Sequence, residues 1–179
     1  AYSETSRIVT FATPDRGRMA CIAKGVERAK SPTRGLLDTF NHLEIVYFWK
    51  DNRGIQTLGE TALLNEFRAV KSALDKSAYG AFVLELCDRM MQGNEPSEDL
   101  FKVLAEGLGQ LNQPEADART QCTWLALALL RVGGLAPSID VCGDCGGPLP
   151  KEPRFAYATG FVCNKCRSDV RLTGEDASI

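Results

Sequence analysis

The stretch CGDCGGPLPKEPRFAYATGFVCNKC, residues 142–166, sets Cys142 and Cys145 in one C-x2-C pair and Cys163 and Cys166 in another, with 17 residues between the pairs. Each pair presents two sulfurs from one tight turn. Two pairs on a short ribbon complete the tetrahedral thiolate shell that Zn²⁺ takes at about 2.3 Å. Gly143, Gly146 and Gly147 supply the backbone freedom of such turns. Four protein ligands leave no coordination position for water or substrate, so the expected zinc, one per chain, is structural and not catalytic.

Other readings of these cysteines are weaker. Two disulfides need an oxidising compartment, whereas the sequence shows no secretory leader and sets Cys21, Cys87 and Cys122 inside apolar runs, as buried thiols are. A redox C-x-x-C explains one pair and leaves the other idle. A zinc deaminase joins H-x-E to a proline-cysteine signature. His42-Leu43-Glu44 offers the first part, but Val141 precedes Cys142 where proline belongs, and His42 opens a β-like run. His42 is read as a strand-edge residue.

With 179 residues and 44% apolar content, the chain is expected to bury two small cores beside the metal. The formal net charge is −2, and a four-thiolate zinc site takes it to about −4. That total does not advertise a polyanionic partner; its distribution does. Residues 7–34 carry Arg7, Arg16, Arg18, Lys24, Arg28, Lys30 and Arg34 against Asp15 and Glu27, whereas residues 85–117 carry eight acids against Arg89 and Lys102. The longest apolar run, Trp124 to Leu130, is far shorter than the roughly 18 residues of a membrane helix, so a soluble protein with no membrane partner is expected, and its expected location is the cytoplasm, in association with the nucleoid.

The fold class read from the pattern is α+β in three segments: an OB-like barrel over 1–60, a helical domain over 61–139, and a zinc ribbon with its tail over 140–179. Arg7 to Thr13 is β-branched and aromatic, and Pro14-Asp-Arg-Gly17 turns it into Met19 to Ala23, which makes a hairpin. His42 to Lys50 alternates Leu43, Ile45, Tyr47 and Trp49 on one face, and Asp51-Asn-Arg-Gly54 turns it into Ile55 to Leu58. Five strands make an OB barrel if one precedes Ala1. From Thr61 the period reads as helical: Thr61 to Leu74, Ser77 to Met91, a helix capped by Ser97, and Glu115 to Arg131, which Gly133-Gly134 ends.

Several of these residues resemble the bacterial DNA recombination and repair protein RecO family. Ser3 to Thr13 followed by Gly17 is similar to its first hairpin, and Ala23-Lys24-Gly25 with Arg28, Lys30 and Ser31 to its basic strand exit. Leu84-Glu85-Leu86 matches a helical signature. Leu129-Leu130 through Gly133, Pro137 and Cys142-x-x-Cys145-Gly146, then Phe155, Gly160 and Cys163-x-x-Cys166, resemble its zinc module. The resemblance implies an N-terminal OB-fold, a helical domain and an embedded zinc ribbon. It also implies a non-enzymatic role: binding single- and double-stranded DNA, annealing strands, and acting with RecR to help RecA replace single-strand binding protein. The family has a further strand before Ser3 and more helix after the zinc module, so a fragment with an incomplete barrel is expected.

Lys24, Arg28, Lys30 and Arg34 fall within eleven residues around a strand exit, and Arg16 and Arg18 flank the first hairpin turn. Each phosphate that such a cation neutralises releases condensed counterions, giving sequence-independent, salt-sensitive affinity. These six are the candidate DNA contacts. Phe11, Tyr47, Phe48 and Trp49 are candidate stacking platforms, and strand alternation sets Tyr47 and Trp49 on the face opposite Phe48 without saying which face meets solvent. Two rival functions are kept: a zinc-ribbon protein–protein adaptor without DNA binding, and a metal enzyme with an open ligand position.

Overall fold

The computed structural model describes residues 5–29, 31–93 and 95–171. The chain divides into two compact units, Ala1–Gly134 and Leu135–Ile179. The first unit opens with β1 (Arg7–Thr13) and β2 (Gly17–Ala23), antiparallel from Arg7↔Ala23 to Thr13↔Gly17. Gly17 turns the hairpin at φ 57, and Thr13 Oγ1 locks the turn by donating to the Gly17 carbonyl at 3.0 Å and accepting from Arg16 N at 3.2 Å. β3 (Asn41–Phe48) and β4 (Ile55–Glu66) form the second antiparallel pair, and β4 also runs parallel to β2. The result is a mixed sheet of order β1-β2-β4-β3.

Its inner face is the alternate set expected for a half-buried sheet. Met19, Cys21, Ala23, Val26, Leu37 and Leu58 are buried together, with Val9, Leu43, Ile45, Tyr47 and Trp49 packed against them. The expected closed barrel is not formed. Among the described residues β1 pairs only with β2 and β3 only with β4, so the sheet is open, with β1 and β3 as its edges.

The expected helix over Thr61–Leu74 is corrected too: β4 continues through Glu66, and only α1 (Arg68–Ser72) is helical there. Cross-strand pairing overrides local periodicity, since β3 needs a partner along its whole length and finds it as far as Asn41↔Glu66. The apolar spacing that suggests a helix belongs partly to surface residues, for Leu63 and Leu64 are 42% and 58% exposed.

Three longer helices follow: α2 (Leu74–Met90), α3 (Glu98–Leu111) and α4 (Ala118–Val132). They enclose a second core containing Val70, Val83, Cys87, Leu104, Leu108, Leu111, Cys122, Leu125 and Leu129. Two end signals differ from the sequence reading. Ser97 occupies the α3 N-cap, yet its hydroxyl donates to the Glu95 carbonyl and makes no cap bond. α4 starts three residues later than Glu115 because Asp117 is its cap, accepting from Thr120 N at 2.8 Å. Among the described residues no helix is long and apolar enough to cross a membrane.

The second unit carries a small antiparallel sheet of order β6-β5-β7, with β5 (Arg154–Ala156), β6 (Gly160–Val162) and β7 (Val170–Arg171). Its buried hydrophobic cluster is Cys142, Ala156 and Val162, with Leu149, Cys163 and Cys166 packed against it. That is too little apolar burial to hold such a unit by itself.

Candidate metal centre and cationic groove

Two knuckles bring the four cysteines together. In the first, Gly146 N donates to the Cys142 carbonyl and Cys142 N to the Gly147 carbonyl, each at 2.8 Å, with Gly146 at φ 69. A side chain at Gly143 would collide with the Thr159 carbonyl. In the second, Cys166 N donates to the Cys163 carbonyl at 3.3 Å. All four Sγ atoms lie within 4.8 Å of one another. Cys145 and Cys163 are 3.9 Å apart at sulfur, and Cys163 and Cys166 3.7 Å. Thiolates on a tetrahedral ion with 2.3 Å bonds stand about 3.8 Å apart, whereas disulfide sulfurs stand about 2.05 Å apart. The cluster therefore fits a metal ion and not a pair of disulfides.

Electrostatics prepare part of this set for ionisation. Backbone N–H groups of Cys145 and Cys163 hold the Cys142 thiol down to about 6, the latter donating to Sγ at 3.3 Å. The Lys165 N–H lowers Cys163 likewise. Cys166 moves the other way, pushed up by hydrogen bonding to the Asp144 carboxylate and to neighbouring sulfurs. A divalent cation favours all four thiolates and reverses that local opposition. Arg154 braces the second knuckle, its Nη2 donating to the carbonyls of Cys163 at 3.0 Å and Cys166 at 2.7 Å.

The candidate DNA contacts separate into two groups. Arg16 lies over the Trp49 ring at 4.6 Å from the centroid, beside Asp15. Arg18 Nε donates to Asp88 Oδ1 at 2.6 Å, tying β2 to α2, and Arg34 pairs with Glu27, which also faces Arg7. Lys30 lies outside the described residues. Lys24 and Arg28 are exposed and meet Arg53 along a groove of about 810 Å³, lined also by Ile22, Ile55 and Thr57. These three cations have no ion-pair partner among the described residues, and none of the residues lining the groove is acidic.

Arg53 was not among the sequence candidates. It belongs to the turn Asp51 to Gly54, legible only as a turn, and the parallel pairing Ala20↔Ile55 is what sets that turn beside the first residues of β2, with Lys24 following the other end of the same strand. The aromatic candidates divide as well. Tyr47 donates to Asp15 Oδ2 and the Trp49 indole to Asp51 Oδ1, each at 2.8 Å, and both rings pack on the inner face, whereas Phe48 is 63% exposed.

Fold and site together define a class: an α+β protein with an open mixed sheet, a helical core and a four-cysteine cluster that could hold a metal ion. A family model described as Recombination protein O N terminal matches residues 1–67, and one described as Recombination protein O C terminal matches residues 71–172. DNA repair protein RecO of Rubrobacter xylanophilus is 32% identical over 171 residues, covering 94% of this chain and 68% of its own length. The proteins of the same description from Salinibacter ruber and Shouchella clausii are 31% and 29% identical, covering 81% and 92% of this chain and 58% and 64% of their own length. The chain belongs to the recombination protein O family, and it spans roughly two thirds or less of the length of these relatives.

Proposed function

We propose that this protein is a non-enzymatic mediator of recombinational DNA repair. It binds single- and double-stranded DNA without reading sequence, anneals complementary strands, and works with RecR to load RecA onto DNA coated by single-strand binding protein, in the cytoplasm. The observation that carries this reading is the groove lined by Lys24, Arg28 and Arg53, with no carboxylate among its lining residues. Cations left uncompensated on a slightly acidic protein mark a polyanion site. Arg16, Arg18, Lys30 and Arg34 add to the basic character of the same stretch of sequence.

In this reading the four cysteines hold one Zn²⁺, which supplies folding energy to the small second unit and takes no part in a reaction. The sheet is the greater part of an OB barrel. An apolar cavity of about 450 Å³ opens between its two free edges, lined by Val9 and Phe11 of β1 and by Leu43 and Ile45 of β3. A fifth strand pairing with both edges there completes the barrel. The test is an anisotropy titration of oligonucleotides of unrelated sequence across salt. Equal affinities that fall steeply with salt support the proposal, and absence of binding at low salt favours the adaptor function.

A further inference from the structure

The backbone registers place one aromatic ring beside the cationic groove. Ile8↔Ile22, Ile22↔Thr57 and Thr57↔Phe48 form a single row across all four strands. Directly paired residues share a face of the sheet. Ile22 and Thr57 line the groove, so Phe48 stands on that same outward face, one strand spacing of about 5 Å beyond the groove wall. Lys24 follows Ile22 by two positions and continues the face at the strand exit.

Phe48 is also prepared as a platform. A Cβ at Gly59 would lie 3.2 Å from Phe48 Cε2, so the ring rests across the glycine and offers its other side to solvent. Of the acids beside the three cations in sequence, Glu27 is engaged by Arg7 and Arg34 and Asp51 by the Trp49 indole. A polyanion with flat apolar groups fits this surface, and a double helix, which keeps its bases stacked inside, has nothing to lay on the ring.

We infer that the outward face of the sheet is a single-strand track, on which Lys24, Arg28 and Arg53 hold phosphates while Phe48 stacks one unpaired base. The inference rests on the DNA-binding function proposed above and adds strand preference and the base-contacting residue. Arg16, Arg18 and Arg34, held by their own partners, shape the surface without forming the track.

Three labelled probes test it by anisotropy at fixed salt: oligothymidylate, an abasic oligomer of equal length, and a blunt duplex. Phe48→Ala is expected to weaken oligothymidylate binding about 5- to 150-fold, the range for loss of one stacked base. It leaves the abasic and duplex probes unchanged, and Phe48→Trp restores affinity. Arg53→Ala weakens all three probes together and flattens their salt dependence. Unchanged oligothymidylate affinity in Phe48→Ala, or an equal loss on the abasic probe, overturns the stacking role while leaving DNA binding intact. A parent protein that binds none of the probes at low salt overturns the DNA-binding function itself.

Discussion

A sulfur that accepts two backbone N–H bonds ionises near neutral pH, and Cys142 is such a sulfur. Its replacement by serine removes the thiolate most ready for a metal. Cys142→Ser is expected to abolish the tetrahedral tetrathiolate spectrum that Co²⁺ gives in the parent and to lower the melting temperature; a variant with parental spectrum and melting contradicts the ligand assignment. Other thiols act by remaining protonated. Burial pushes Cys21 and Cys87 up to about 11 from 9.0. Between those values the unfolded chain has released protons that the folded protein keeps, so stability is full below about pH 9 and falls as pH rises toward 11. The loss is at most about 3 kcal/mol per thiol. Urea denaturation across this window should show a shallower decline in Cys21→Ala than in the parent, and equal declines would contradict the burial argument.

Among the elements, α1 illustrates a terminus held from outside. Its own N-cap residue, Phe67, offers no side-chain acceptor, and Asn112 at the end of α3 supplies one, its Oδ1 accepting from Ala69 N at 2.9 Å and Val70 N at 3.4 Å. Asn112→Ala leaves two helix-end donors unsatisfied and is expected to cost about 1–2 kcal/mol in chemical denaturation. A change within a few tenths would show that water replaces the amide. Such long-range devices explain where sequence reading stops. The cysteine quartet was legible because C-x2-C spacing is local, and the first hairpin because Pro14 to Gly17 is turn chemistry. The length of β4 was not, since only its pairing with β3 holds Thr61 to Glu66 extended. Phe48 and Trp49 looked equivalent as platforms, and only packing shows that Trp49 turns inward beneath Arg16.

At the scale of the whole molecule, charge and cohesion are divided between different parts of the chain. The second unit buries little apolar surface around its four-cysteine cluster, whereas the first has two cores of its own. Chelation is therefore expected to remove hydrogen-exchange protection from residues 135–171 and to spare the core helices α2, α3 and α4; protection lost equally throughout would contradict independent stabilisation. The cations of the first unit likewise do different work. Salt bridges occupy Arg18 and Arg34, whereas Lys24, Arg28 and Arg53 line the groove proposed for DNA without an ion-pair partner among the described residues. The most direct measurement is the slope of log affinity against log salt for a single-stranded oligonucleotide, in the parent and in the Lys24→Ala, Arg28→Ala, Arg53→Ala triple variant. Loss of three phosphate contacts is expected to flatten the slope by about two units and weaken all sequences alike. Identical slopes would contradict the groove as the DNA-binding surface.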